Sequence, residues 1–361
     1  MKAGWKTVKL GDVCHVYQPE TLSQKQLKDG PYPVYGANGQ IGFHDEFNHA
    51  EPQLTLGCRG TCGAVNWTTE NAWINGNAMV VKAYEELVTP QFLTYALKGG
   101  INIGDSISGT AQPQITRKSL TPIEIPLPPL AEQKRIVALL DEAFAGIDEA
   151  KAKAELSIKR NADLFKSLLQ SSFANQDPEW VEMTLENCCE QIFAGGDVPK
   201  GRLSDDRTKE FNVPIYANGE KDEGLYGFTD IARVTKPSIT VSARGTLGFT
   251  AIRTEPFFPI VRLIVLVPDD EKITLSFLYH AISGMDFGNT GTSIPQLTVP
   301  NFKESKLRLP GLQTQNAVTG KIDSIKEKGE SLRRLHEQKL SMLKELKNSL
   351  LAQAFAGELA A

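Results

Sequence analysis

Two short turns carry the most concentrated chemistry in the chain, Arg59-Gly60-Thr61 and Arg244-Gly245-Thr246. In each, a guanidinium can project from a tight, glycine-flanked loop with a hydroxyl two residues on. A guanidinium donates a bidentate pair of hydrogen bonds to a guanine edge or to a phosphate. The same group can also brace its own loop, and its recurrence in both halves favours scaffold over sequence reading. Gln114 and Gln296 occupy polar loops that recur as well, and a glutamine amide suits an adenine edge or a backbone. Asn38 and Asn218 stand in Asn-Gly turns. Polar residues without a counterpart are better suited to telling bases apart. These are Gln40 and His44 in the first half, and Lys200, Arg202, Lys209 and Lys221 in the second. Each taken singly is more often a solvated surface residue.

Covalent and metal chemistry have less to stand on. Cys58 and Cys62, with Cys14-His15, are ligand types, but Ala243 and Leu247 occupy the equivalent positions of the second half. A CxxxC spacing alone is a poor zinc signal, so packed or incidental thiols are the expectation. The five histidines are scattered without partners for a nucleophilic triad. No Walker A sequence occurs, which argues against ATP use by this chain. An amino-methyltransferase needs a glycine-rich cofactor turn after a strand and an Asn/Asp-Pro-Pro-aromatic motif. Here Pro128-Pro129 follows Leu127, and Phe193-Ala194-Gly195-Gly196 is an isolated glycine turn. A non-catalytic chain that holds no metal or cofactor is expected.

Composition sets the frame for these residues. A chain of 361 residues exceeds one ordinary core and points to at least two domains. With 41% hydrophobic and 23% charged residues it reads as an ordinary soluble protein. No apolar run reaches membrane-spanning length, and Met1-Lys2-Ala3-Gly4-Trp5-Lys6 lacks a signal-peptide core. Five cysteines, an odd number, fit a reducing cytoplasm. A net charge of −4 does not advertise nucleic-acid binding, so that reading rests on local placement of charge.

The elements that must position these loops come in a repeated series. From Leu130 to Phe173 there is no proline and one glycine, Gly146. Val137, Leu140, Phe144, Ile147, Ala154, Ile158, Phe165 and Leu168 recur in steps of three and four, with Lys151 and Asn161 as polar entries. That period predicts a helix whose apolar seam faces another helix. Its length is about 65 Å at 1.5 Å per residue. From Leu312 to Phe355 the alternation returns at Val318, Ile322, Ile325, Leu332, Leu343, Leu346 and Leu350, interrupted by Gly329, His336 and Lys339. Gln133 falls on Gln315, and Ser167-Leu168-Leu169 with Phe173 falls on Ser349-Leu350-Leu351 with Phe355, at one constant offset.

Ahead of each helix lies a β-rich segment with short helices. Trp5 is answered by Trp180, the Tyr35-Gly36-Ala37-Asn38-Gly39 hairpin by Tyr216-Ala217-Asn218-Gly219, and Leu54 to Gly63 by Ile239 to Gly248. The short amphipathic helix Pro90 to Leu97 is answered by Phe277 to Ile282. A duplication this long folds as two similar lobes rather than as a solenoid of many short units. The linker 174–179 is too short to run back along the first helix. Antiparallel pairing of the helices therefore costs the least chain, giving a pseudo-two-fold arrangement with lobes held apart by a spacer.

Several motifs together resemble the specificity subunits of type I restriction–modification systems. They are Trp5 with Leu10-Gly11-Asp12-Val13, Tyr35 to Gly42, Arg59-Gly60-Thr61-Cys62-Gly63, Gly109-Thr110-Ala111-Gln112-Pro113-Gln114, Ile125 to Val137, and the Ser-Leu-Leu helix endings. The duplicated set spans essentially the whole chain. The resemblance implies an α+β fold with two duplicated target-recognition domains, each a mixed sheet with short helices, and two long helices as an antiparallel coiled coil. Its boundaries are 1–128 and 176–310 for the domains, 129–175 and 311–361 for the spacer helices. Each lobe is expected to read half of a bipartite, asymmetric site in double-stranded DNA, through the polar residues named above. Two methylation subunits are expected to dock on the helices at Leu140, Phe144, Ile147, Phe165, Leu168, Ile322, Leu332, Leu343 and Leu350. Restriction subunits join through them, and S-adenosylmethionine, ATP and Mg belong on those partners. Departures are that Gly36 has no counterpart between Tyr216 and Ala217, and that Pro310-Gly311 replaces Pro128-Pro129. The alternative is a coiled-coil scaffold that joins proteins without touching DNA, which the acidic total favours.

Overall fold

The computed structural model describes residues 4–109, 112–173, 178–285 and 297–359. The chain forms two compact units. Unit 1 comprises Met1–Glu155 with Glu337–Ala361, and unit 2 comprises Leu156–His336. Each contains one lobe and part of both long helices, Leu130–Phe173 and Leu312–Ala356. Because the first part of one helix shares a unit with the last part of the other, the two run antiparallel. No helix among the described residues is long and apolar enough to cross a membrane.

In lobe 1, β1 (Lys6–Lys9) pairs antiparallel with β11 (Glu124–Leu127) and ties the start of the lobe to its exit. A four-stranded sheet follows the order β2 (Cys14–Tyr17), β8 (Ala78–Ala83), β5 (Leu54–Gly57), β6 (Val65–Trp67). A second sheet sets β3 (Tyr32–Gly36) between β4 (Gly39–His44) and β7 (Trp73–Ile74), the last pair parallel. A short antiparallel pair, β9 (Ile107–Ser108) with β10 (Gln114–Ile115), completes lobe 1. Lobe 2 repeats the first three of these sheets among the described residues. β12 (Val181–Thr184) pairs with β20 (Lys306–Leu309). β13 (Cys189–Ala194), β19 (Ile264–Pro268), β16 (Ser238–Val241) and β17 (Thr250–Arg253) form the four-stranded sheet. β14 (Val213–Tyr216) lies between β15 (Leu225–Thr229) and β18 (Phe258–Pro259). Runs such as Leu54-Thr55-Leu56 and Ile264-Val265-Leu266-Val267 are buried at every position, which is why they read as continuous apolar stretches rather than alternating ones.

The helices are part of the lobes' cores. Ile136, Leu140, Phe144 and Ile147 share one cluster with Leu351, Ala354, Phe355 and the lobe residues Phe92, Leu93 and Leu97. The rings of Phe92 and Phe355 lie 4.8 Å apart, and a Cβ on Gly100 would stand 2.3 Å from the Phe355 ring. In unit 2, Phe173 meets Phe277 edge-on at 5.0 Å, and Val318 packs on the same core. The expected seam is therefore corrected in part. Leu140 and Ile147 are 1% and 7% exposed and serve the lobe core, so neither can present itself to another chain. Ile322 is buried, while Phe165, Leu168, Leu343 and Leu350 are half-buried. Leu332 is 45% exposed and stands outside the seam. A straight helix drifts about 20° per heptad against a strict seven-residue count, and Ile325, two turns earlier, is already 41% exposed. Gly329 meets the other helix's polar entry, since Asn161 Nδ2 donates to its carbonyl at 2.9 Å.

A buried glutamine locks each lobe to its helix. Gln133 is fully buried and its Oε1 accepts from Thr89 N at 2.8 Å, while Nε2 donates to Leu87 O and Pro128 O, both at 2.9 Å. Gln315, also fully buried, repeats the set with Thr274 N at 2.8 Å, Lys272 O at 2.8 Å and Pro310 O at 2.9 Å. Thr89 and Thr274 in turn cap the helices Pro90–Tyr95 and Leu275–Ser283 through their hydroxyls. One amide thus fixes helix start, short-helix cap and entry strand together. A second tie differs between the halves. The Tyr95 hydroxyl bonds Asp141 in unit 1, whereas His280 Nε2 bonds Asp323 at 2.7 Å at the matching place in unit 2.

Replacing Gln133 or Gln315 by alanine strands a buried N–H and two carbonyls. A loss of about 1–3 kcal/mol is expected in denaturant unfolding of the corresponding unit, and a change within error would remove the clamp's role. His280 supplies a pH test. It is 2% exposed, and burial lowers its pKa from the ordinary 6.5, against the raising effect of Asp323. With a depressed folded-state pKa, its stabilising contribution is complete above pH about 6.5 and is lost as pH falls through the folded value. Unit 2 should lose stability between pH 7.5 and 5.5, and His280→Gln should flatten that slope; equal slopes in both proteins would assign it elsewhere.

Candidate nucleic-acid interface

In lobe 1 the turn joining β3 to β4 passes over the end of β5. A Cβ on Gly57 would meet the carbonyl oxygens of Ala37 and Thr61 at 2.3 Å each, so only glycine fits there. Just beyond, Cys58 N and Arg59 N donate to Asn77 O at 2.9 and 3.3 Å. Ile115 N donates to Cys58 O at 2.9 Å, and Arg59 forms an isolated antiparallel bridge with Gln114. The Cys62 thiol donates to Pro113 O at 3.1 Å and fastens the two loops from the other side. Asn38, Arg59, Thr61 and Gln114, far apart in sequence, therefore share one edge of the lobe and are all exposed. Gln40 is exposed on β4 beside them.

The thiols are explained by this bracing. Cys58 is 1% exposed and its Sγ donates to Gly76 O at 3.6 Å; burial pushes its pKa up.

His44 is corrected. It lies at the opposite end of the hairpin, paired with Tyr32, is 5% exposed, and sits tilted against the Trp73 ring with the centroids 5.1 Å apart. Its Nδ1 accepts from Glu46 N at 3.0 Å. It holds the hairpin base and cannot reach a duplex groove.

Lobe 2 builds the same edge with different ties. Leu297 N donates to Ala243 O at 3.1 Å, matching the Ile115 to Cys58 bond. Ala243 N, however, takes its acceptor from a side chain, Asn218 Oδ1 at 2.8 Å, and Asn218 Nδ2 donates to Val261 O at 2.6 Å. Gly219 N donates to Ser242 Oγ at 3.1 Å. Asn218 is half-buried with both ends of its amide in use, so it is a brace between three loops and not a free reader. Arg244 and Thr246 are exposed at the rim.

The remaining cations separate by position. Lys221 is exposed on the turn after Gly219, where Asp222 and Glu223 both adopt left-handed backbone, at φ of 49° and 52°. That turn is held from below by Arg253, 4% exposed, which donates to Thr240 Oγ1 at 3.1 Å and to Glu223 Oε2 at 3.1 Å, and lies 3.6 Å over the Tyr216 ring. Arg202 pairs with Asp230 at 3.3 Å, next to the end of β15 that opposes Val213. It therefore stands at the far end of β14 from Asn218. Lys209 lies in the same far region, between Thr208 and Phe211, which bond each other. Lys200 is exposed on the segment between. Gln296 lies outside the described residues. Missed by sequence reasoning are Arg253 and the turn Val261–Arg262, since nothing in those residue types signals a buried cation or left-handed backbone.

The chain matches the family model described as "Type I restriction modification DNA specificity domain" over residues 2–159 and again over 178–338. It is 28% identical over 333 residues to a Mycoplasma pneumoniae protein named as a type I specificity subunit, covering 89% of each chain. A second protein of that organism with the same designation is 30% identical over 73% of this chain and 81% of its own length. The EcoBI specificity subunit of Escherichia coli is 23% identical, over 85% of this chain and 74% of its own length. Among solved structures, a chain from a study of assembly and conformational transition of the type I R-M system superposes with a TM-score of 0.81. It is 18% identical and 99% of each chain is covered. The HsdS subunit of Thermoanaerobacter tengcongensis gives a TM-score of 0.61 at 19% identity, with 99% of this chain and 98% of that chain covered.

Proposed function

The chain belongs to the type I restriction–modification DNA specificity family, and from that premise we propose that it is the target-reading subunit of a type I restriction–modification complex. Each lobe reads one half of a bipartite, asymmetric site in double-stranded DNA with the loop edge described above. Arg59 and Arg244 contact mainly phosphate, since they recur in both lobes. Polar residues without a counterpart in the other lobe, Gln40 and Lys221 among them, carry the discrimination. The observation that carries this reading is the duplicated edge itself: the Ile115-to-Cys58 tie returns as Leu297 to Ala243, while the side chains at the rim change. A chain that binds one DNA segment with two such edges has a reason to keep the frame and vary the rim.

The long helices set the distance between half-sites and dock two methylation subunits, through which the restriction subunits join. Exposed apolar side chains support this. Leu164, Leu332 and Leu335 in unit 2 and Met342 and Leu346 in unit 1 are 69%, 45%, 59%, 67% and 47% exposed. Apolar side chains gathered on a helix face and left in water mark a protein-binding surface. The chain itself is non-catalytic. Methyl transfer with S-adenosylmethionine, and ATP- and Mg-dependent translocation and cleavage, belong to the partners. The site of action is the cytoplasm.

Two measurements test the assignment. Exchanging residues 1–125 for a lobe of different sequence, in the complex reconstituted with its methylation subunits, should change one half of the methylated motif and leave the other half and the gap unchanged. A change in both halves would mean joint reading, and no motif in the parent complex would favour a scaffold that does not touch DNA. For docking, Leu335→Asp with Met342→Asp should abolish co-purification with methylation subunits while the melting temperature stays within about 2 °C, because both side chains are already in water. Retained assembly would move the interface off these faces.

A further inference from the structure

The turn between β18 and β19 differs between the lobes in a way that points to function. In both, the residue after the parallel strand donates to the tyrosine that ends or nearly ends the neighbouring strand: Asn75 N to Tyr35 O and Ile260 N to Tyr216 O, each at 2.9 Å. Lobe 1 continues as Asn75-Gly76-Asn77, without positive φ at any of the three. Lobe 2 continues as Ile260-Val261-Arg262, with Val261 at φ 53° and Arg262 at φ 61°. Left-handed backbone is costly for any residue with a Cβ and most of all for a β-branched one. Such a conformation persists only where its surroundings over-determine it.

They do so here. Val261 N donates to Gly196 O at 2.8 Å, Arg262 N to Gly195 O at 3.1 Å, and Leu263 N to Ile260 O at 3.0 Å. Asn218 Nδ2 holds Val261 O at 2.6 Å. A Cβ on Gly195 would stand 2.7 Å from Ile260 N, so the two chain segments are in close contact. The strain also has a local consequence. In lobe 1 Asn77 O takes Cys58 N directly, but in lobe 2 the Asn218 side chain must bridge to Ala243 N instead. What this arrangement presents to solvent is Arg262. It is exposed, and among the described residues its side chain has no hydrogen-bonding, ionic or ring partner. Several other arginines of lobe 2 are occupied: Arg202 by Asp230, Arg207 by Glu255, Arg253 by Glu223 and Tyr216, and Arg233 by the Phe193 ring.

We propose that Arg262 is a base-reading residue of the second lobe, donating both arms of its guanidinium to a guanine in that lobe's half-site. The assignment rests on the DNA-reading function proposed above. An arginine fork matches the O6 and N7 acceptors of guanine in the major groove, and the match is most discriminating when the backbone beneath it cannot move. The turn lies on the same edge as Arg244 and Thr246, joined to their loop through Asn218. Arg244 recurs in lobe 1 and Arg262 does not, so Arg262 is the arginine free to specify this lobe's target.

The test uses the complex of this chain with its methylation subunits, reading the methylated motif and the salt dependence of DNA binding for three proteins. For Arg262→Ala, preference for guanine at one position of one half-site should fall about 10- to 100-fold, with the other half-site and the gap unchanged. Arg262→Lys, which keeps the charge but lacks the planar fork, should show the same relaxation. An Arg262→Ala complex with an unaltered motif overturns the proposal. So does a uniform loss of affinity for all sequences with the salt slope reduced by about one, restored by Arg262→Lys, which is the signature of a phosphate contact. A parent complex without any motif fails the DNA-reading function itself and takes this inference with it, which separates the two failures.

Discussion

A lobe can address a fixed stretch of DNA only if it cannot swing on the helix that carries it, and in each half that freedom is removed by one buried glutamine. Gln133 and Gln315 are each satisfied three times over, by a backbone N–H and two carbonyls drawn from the exit strand and the start of the short helix. A buried amide with every partner made contributes modestly, but leaving those partners unmade costs the full desolvation of each. The lobe angle is thus fixed by what its loss would expose. Around this joint the apolar core is continuous from lobe into helix, through Phe92 and Phe355 in unit 1 and Phe277 and Phe173 in unit 2. Joint and core restrain each other: the rings prevent sliding, and the amide prevents rotation.

The duplication then shows which parts of the frame are constrained and which are adjustable. Sheet order, the parallel pair, the glutamine clamp and the backbone bond between the two rim loops are the same in both lobes. The ties that close the rim are not. Lobe 1 lets the hairpin turn touch β5 directly over Gly57, whereas lobe 2 has Ser242 at that place, with a hydrogen bond from Gly219. Cys62 ties its loop to Pro113 in lobe 1, whereas in lobe 2 Asn218 ties the hairpin turn to Ala243 and Val261. A rim that can be closed by a thiol, a close glycine contact or an amide tolerates wide change in the side chains that face outward.

Much of the frame was legible in the sequence, because it rests on local periodicity and on self-comparison. Both long helices, Leu130–Phe173 and Leu312–Ala356, stand where the three-four alternation put them, and the two Asn-Gly hairpins and short helices recur in order. The offset that laid Gln133 on Gln315 was visible without its reason. Harder to read was anything decided by contacts distant in sequence. His44 looks like an exposed strand residue until Trp73 covers it, and Asn218 looks like a turn residue until Ala243 and Val261 claim its amide. Leu332 fits a heptad count, yet it stands in water, as Ile325 before it does. A strained φ at Val261 cannot be inferred from a valine.

That last case bears on how one fold can serve many targets. Of the five non-glycine residues with positive φ among the described residues, four lie in lobe 2, as the pairs Asp222–Glu223 and Val261–Arg262 on either side of Asn218. Each pair is held by a partner that would otherwise have little reason to be there, Arg253 buried beneath the first and the Asn218 amide behind the second. Strain of this kind subtracts from stability, so it persists where the rigid clamp and core beneath supply a margin and where a fixed side-chain direction matters. A relaxed loop would let a long side chain sample several base edges and discriminate among none. The stiff joint at Gln315 and the strained turns at the rim are on this view two ends of one requirement: a reading residue is only as exact as the least rigid link between it and the helix.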